Sequence, residues 1–208
     1  MFPRSIRMAL YYVKSKKVSV NKSISREAKI EAVHKLEKKW IGNVFEVLRG
    51  TKEQDVAIAI GVKDMAKIFV KLDAPDDALN YLNSVEDIFP VLLDIKNNNS
   101  SVFEAYIFSL FLRGNAYALK GLIDECYNQF DLVNVKLNEQ MASEPSNSRL
   151  QSMNNYLTEQ MFDVYLILAD KFPEKRQPAY RACLNQLKVF LERDPGNDII
   201  QDLIDRFK

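Results

Sequence analysis

Residues Val62 to Pro90 read VKDMAKIFVKLDAPDDALNYLNSVEDIFP, and the periodicity of this stretch decides the fold. Val62, Met65, Ala66, Phe69 and Leu72 recur at three- and four-residue intervals, which puts them on one face of a helix. The chain then breaks at Asp73-Ala74-Pro75. Pro75 suits the first turn of a second helix, where its missing N–H costs nothing. Asp76 and Asp77 follow, where the positive end of that helix's dipole favours carboxylates. Ala78, Leu79, Leu82, Val85 and Phe89 continue the apolar spacing, and Pro90 is expected to end the helix. Ala66 and Ala78 are small where two backbones must approach, and Phe69 and Leu82 fill the space beside them. The stretch is predicted to be an antiparallel helical hairpin.

A second hairpin of the same design follows at Ile107 to Val133, IFSLFLRGNAYALKGLIDECYNQFDLV. Leu110, Gly114 and Tyr117 stand in its first helix, Gly121 at the turn, and Cys126, Phe130 and Val133 in its second. Together with Ala66, Phe69, Ala78, Leu82, Val85 and Pro90 of the first copy, these residues resemble the tetratricopeptide repeat family. Ala66 and Gly114 lie 48 residues apart, against a family period of about 34. Cys126 replaces the usual alanine, and no proline follows the second copy. The resemblance covers Ile60 to about Leu137 and describes a long-repeat relative, not a regular array.

The resemblance implies an all-α, right-handed stack of antiparallel helical hairpins, with about seven to nine helices and residues 27–208 as the repeat-like domain. It also implies a non-enzymatic scaffold or adaptor that binds a peptide or helix of a protein partner in a concave groove lined by the first helices; the alternatives are a mitochondrial structural or assembly factor with an amino-terminal targeting segment, and a regulatory or membrane-surface-associated helical-repeat protein. That groove would carry Lys63, Lys67, Val70 and Lys71 from one hairpin and Phe108, Phe111, Asn115 and Ala118 from the next. Lys63, Lys67 and Lys71 recur every four residues and so share one side of a helix. The competing reading is a solvated lysine face with Phe108 and Phe111 in the core. Some family members clamp a peptide carboxyl terminus with a lysine and asparagines. Asn115 fits such a role, but Lys67 stands where an asparagine is expected, so no clamp is assigned.

The flanks extend the helical pattern. Ser25 is placed to cap a helix with the stripe Ile30, Val33, Leu36, Trp40, Ile41, Val44, Phe45 and Leu48, stopped by Gly50. Thr51 and Gln54, and later Ser101 and Glu104, have capping-box spacing. Val91 to Ile95 extends the chain past a kink at Pro90, and Lys96 to Ser100 reads as a loop. Ala142 to Ser148 has the composition of a linker. A long helix over about Arg149 to Lys171 follows, then one over Ala179 to Glu192. Asn197 caps a short terminal helix with Ile200, Leu203, Ile204 and Phe207. No stretch reads as a strand.

The 208 residues carry a net charge of +1, unevenly spread. The first 26 residues hold seven Lys/Arg and no Asp or Glu, leaving 22 basic against 28 acidic residues in the remainder. Residues 1–26 therefore match a mitochondrial transit peptide, a basic arm, or a short helix packing on the next hairpin. The block Met8 to Val13, with Tyr11 and Tyr12, also gives this segment the makings of a peripheral membrane contact. Cys126 and Cys183 fall on apolar helix faces and read as buried thiols of a reducing, intracellular compartment, cytoplasmic or mitochondrial. No apolar run is long enough to span a bilayer.

Chemistry is thinly represented. His34 is the sole histidine; without a Ser, Cys or Asp constellation beside it in sequence, it reads as a helix-surface residue. No phosphate-binding, dinucleotide-binding, nucleophile-elbow or zinc-protease motif occurs. Asp76-Asp77 and Glu86-Asp87 are sequence neighbours, which do not face each other on a helix. The acidic body and the lack of an RNA-binding signature argue against nucleic acid. No cofactor, metal ligand set or catalytic residue is assigned.

Overall fold

The computed structural model describes residues 4–48, 52–94, 100–193 and 195–205, with side chains at 12–40, 55–93, 100–192, 195–198 and 200–205. Among the described residues all regular structure is helical. There are ten α-helices: α1 Arg4–Ser19, α2 Arg26–Leu48, α3 Lys52–Lys71, α4 Pro75–Asn83, α5 Ile88–Asp94, α6 Ser100–Leu119, α7 Ile123–Ser143, α8 Ser148–Lys171, α9 Arg176–Arg193 and α10 Asp198–Asp205, with a 3-10 turn at Pro173–Lys175. Ten exceeds the seven to nine expected, because the predicted return helix through Phe89 is two helices. The chain divides into two compact units, residues 1–112 and 113–208.

In the first unit α3 is the central helix, packed against α1, α2, α4 and α5. Its apolar positions are fully buried where the period predicted: Met65, Ala66 and Phe69 are at most 2% exposed. The facing positions of α4, Ala78 and Leu82, are equally closed. Burying a side chain the size of Phe69 or Leu82 contributes about 1.5–3 kcal/mol, and the two alanines permit the approach that makes this burial possible. Trp40, Val62, Val85, Phe89, Val102 and Ala105 join α2, α3, α5 and α6 in one apolar cluster. Gly61 is required there: a Cβ would fall 2.0 Å from Trp40 Cζ2.

Both predicted hairpins turn in the same way. At the first, Asp73 has φ 53° and the Ala74 N–H reaches back five residues to the Phe69 carbonyl at 2.9 Å. At the second, Gly121 has φ 71° and the Leu122 N–H reaches the Tyr117 carbonyl at 2.9 Å. This left-handed stop with a six-to-one bond is a Schellman-type end. In each case a cationic side chain from elsewhere in the same unit closes the turn carbonyl: Arg26 on Asp73, and Lys175 on Gly121 at 2.7 Å. Arg26 also donates to the Leu72 carbonyl at 2.7 Å.

Three boundary expectations are corrected. Pro90 lies inside α5 and does not end the return helix, which stops at Asn83. The break is a series of tight i−3 bonds through Ser84, Glu86 and Ile88, and a proline in the first turn of the new helix removes no bond. The helix expected from Val102 begins at Ser100, so Ser101 lies within its first turn and not at the cap. The linker at Ala142 to Ser148 shrinks to four residues. α7 runs through Ser143, and Asn147 caps α8 by accepting from Arg149 N and Leu150 N at 3.1 and 3.3 Å. Ser25 and Asn197 do cap α2 and α10, accepting from Ala28 N and Ile200 N. The expected stop at Gly50, the Thr51–Gln54 box, the loop at 96–99, the side chains of Met8 to Tyr11, Ile41, Val44, Phe45 and Leu48, and Phe207 lie outside the described residues.

In the second unit α8 and α9 pack as a pair, with α7 against both and α10 closing on them. Leu157, Leu168 and Ala169 are fully buried, and Tyr165 is 1% exposed. Gly114 admits the Phe130 ring, whose Cε1 would lie 2.4 Å from a Cβ at that position.

Candidate functional site

Lys63, Lys67 and Lys71 all lie on α3, and Lys16 of α1 comes near enough to act on Lys67. Lys67 is half-buried, and its pKa is lowered first by that burial, then by the charges of Lys71 and Lys63, and also by Lys16 of α1; Asp64 acts in the opposite direction. Lys63 is paired with Asp64 at 2.9 Å. Lys67 thus sits in the field of three other amino groups, two on its own helix and one on α1, with Asp64 as the opposing carboxylate. The basic amino-terminal segment takes part because α1 packs on α2 and α3.

Beside the lysines lies a cavity of about 280 Å³ lined by Tyr12, Trp40, Ala57, Ile60, Gly61, Asp64 and Met65. Three helices build it. The Trp40 indole from α2 packs into the space that a Cβ at Gly61 would take, and it lines the cavity. Tyr12 of α1 and Asp64 of α3 form the polar edge. Burial, and then the charge of Asp64, push the Tyr12 phenol upward. This cavity escaped sequence reasoning because its residues come from three helices.

His34 is not a solvated surface residue. It is half-buried, with Nδ1 3.0 Å from the Tyr81 hydroxyl and Nε2 3.0 Å from Asp77 Oδ1. Tyr81 donates to Glu37 Oε2 at 2.7 Å, and its ring stacks on Phe69 with centroids 5.2 Å apart. Glu37 is 5% exposed. Burial, then the hydrogen bond and charge of Glu37, raise the Tyr81 phenol far above its ordinary value. Among the described residues no group of His, Cys, Asp and Glu is arranged to hold a metal ion. This network ties α2 to α4 around a stacked ring pair.

The other expected groove residues divide. Val70, Phe108 and Asn115 are half-buried and Lys71 is exposed, whereas Phe111 and Ala118 are 6% and 2% exposed. A side chain offered as an anchor must be reachable, so Phe111 and Ala118 are assigned to packing. Asn115 and Ala118 belong to the second unit and the remaining six to the first. The second unit has its own wider cleft of about 620 Å³, lined among others by Asp124, Glu125, Tyr127, Lys175 and Arg181. Its charges are of both signs, and Lys175 is engaged on the Gly121 carbonyl, so it selects no ligand charge. Cys126 and Cys183 are free thiols, both buried. Burial pushes the Cys183 thiol up to about 12 and raises Cys126 as well.

No helix among the described residues is long and apolar enough to cross a membrane. Comparison with family models, curated proteins and solved structures finds no match to this chain.

Proposed function

We propose that this chain is a non-enzymatic, tetratricopeptide-like helical scaffold whose lysine face captures an acidic segment of a protein partner. The observation that carries the reading is the convergence of Lys16, Lys63 and Lys71 on the half-buried Lys67, which Asp64 opposes while also pairing with Lys63. Like charges held this close oppose folding, and a partner carboxylate offsets that repulsion. The repeat-like reading draws on two hairpins that turn through the same left-handed geometry 48 residues apart, at Asp73 and Gly121. Surface charge of this kind chiefly speeds encounter and confers salt sensitivity.

The test is affinity capture from the native source with wild type and the Lys63→Glu/Lys67→Glu double variant, read by mass spectrometry at low and moderate salt. Wild type is expected to hold a partner that salt removes, and the folded double variant to lose it. A variant with unchanged circular dichroism that captures the same partner at wild-type strength overturns the reading.

A further inference from the structure

We propose that the cavity beside Trp40 receives one large apolar side chain of the acidic segment, so that the partner is recognised by an anchor and by acids a set distance away. This rests on the lysine-face reading and adds a specificity element to it. The two features are continuous on α3. Ile60, Asp64, Lys67 and Lys71 follow one another at four-, three- and four-residue steps, which is one line along a helix. The first two line the cavity and the last two are the lysines. α1 repeats the layout: Tyr12 stands at the cavity edge under the charge of Asp64, and Lys16, one turn on, acts on Lys67.

Size and polarity select the occupant. A cavity of about 280 Å³ exceeds the roughly 150 Å³ that accommodates a benzene molecule, so a phenylalanine or leucine side chain fits with room to spare. Its walls are Trp40, Ala57, Ile60 and Met65, and its polar edge is Tyr12 and Asp64. An acidic side chain entering the cavity would meet Asp64, whereas an apolar one leaves that carboxylate to accept a backbone N–H of the bound segment. The spacing follows from helix rise. Asp64 and Lys71 are seven residues apart, or about 10 Å, which an extended peptide covers in about three residues. The preferred segment therefore carries acids about three residues from its anchor.

Trp40 is the protein's only tryptophan, so its emission reports occupancy of this cavity directly. The probe is the acetylated, amidated peptide Asp-Glu-Ala-Ala-Phe-Ala-Ala-Glu-Asp, compared with the same peptide carrying alanine in place of phenylalanine. The phenylalanine peptide is expected to shift Trp40 emission saturably and in a salt-sensitive way. The alanine peptide, followed by the anisotropy of an attached dye, is expected to bind at least tenfold more weakly and to leave Trp40 unchanged. Ala57→Leu, which fills the cavity from its half-buried wall, should abolish the preference for phenylalanine and spare binding of the alanine peptide. Equal affinity for the two peptides, or a silent Trp40 at saturation, overturns the anchor and leaves lysine capture standing. Failure of both peptides to bind at low ionic strength overturns the lysine face and the anchor together.

Discussion

Asp73 and Gly121 hold the same left-handed position with different side chains, and their substitutions should act in opposite senses. Gly121→Ala places a Cβ at φ 71°, 3.1 Å from Lys175 Nζ and 3.2 Å from the Phe172 ring. It should cost about 1–2 kcal/mol. Asp73→Gly relieves a non-glycine residue at φ 53° and should be neutral or slightly stabilising, part of the gain being lost to a freer unfolded chain. Denaturant unfolding of the two variants measures both. Tyr81→Phe removes the hydroxyl that donates to the buried Glu37 carboxylate, and stranding a buried acceptor should cost about 1–3 kcal/mol. Adding Glu37→Leu should recover part of that loss, because no stranded carboxylate then remains. The thiols give a third residue-scale expectation. With Cys183 1% exposed and its pKa near 12, native protein at neutral pH should label with a thiol reagent only as fast as the second unit opens. Rapid labelling in native buffer contradicts this burial.

At the scale of elements, Ala78→Glu forces a charge into the contact of α3 with α4, where Ala78 is fully buried. A loss of several kcal/mol is expected, and a nearly unchanged melting temperature refutes the packing. Phe111→Ala should cost roughly 3–5 kcal/mol as a large-to-small core change. Helix periodicity made α3 and α4 legible because both carry a buried apolar stripe and meet at the Asp73-Ala74-Pro75 break, and Gly121 marked the turn from α6 to α7. Pro90 misled because proline both ends helices and sits comfortably in their first turns, and only the preceding bonds at Ser84 to Ile88 distinguish the cases. Ala142 to Ser148 misled because a helix end plus an asparagine cap has the composition of a linker. The lysine stripe was legible because its spacing lies within one helix. The anchor cavity was not, because Tyr12, Trp40 and Asp64 are brought together by packing across three helices. Removing residues 1–20 tests that packing: α1 supplies Tyr12 beside Trp40, so the truncated protein should melt lower, with red-shifted tryptophan emission.

For the whole molecule, the depressed pKa of Lys67 would make the proposed capture of an acidic segment a proton-linked event. Its charge is lost on alkaline titration earlier than that of an ordinary lysine. Capture of an acidic segment should therefore weaken as pH rises into that range. An acidic partner restores the pKa on binding, so complex formation there should take up protons, and calorimetry in buffers of different ionisation enthalpy measures the uptake. For stability the sign is reversed. A lysine with a lowered folded-state pKa opposes folding while protonated, so its contribution improves as pH passes upward through that value.

The closure of the two turn carbonyls has an expected consequence for the order of assembly. The α3–α4 and α6–α7 hairpins join residues close in sequence and can form early, since short loops close at little entropic cost. Arg26 reaches Leu72 across 46 residues and Lys175 reaches Gly121 across 54; these latches wait until α2 or the α8–α9 pair has docked. Each is therefore expected to form late and to show a low φ-value in a kinetic analysis of its alanine variant. Arg26→Ala should speed unfolding while leaving the refolding rate nearly unchanged, so these two cations set how long the native fold persists more than how fast it forms.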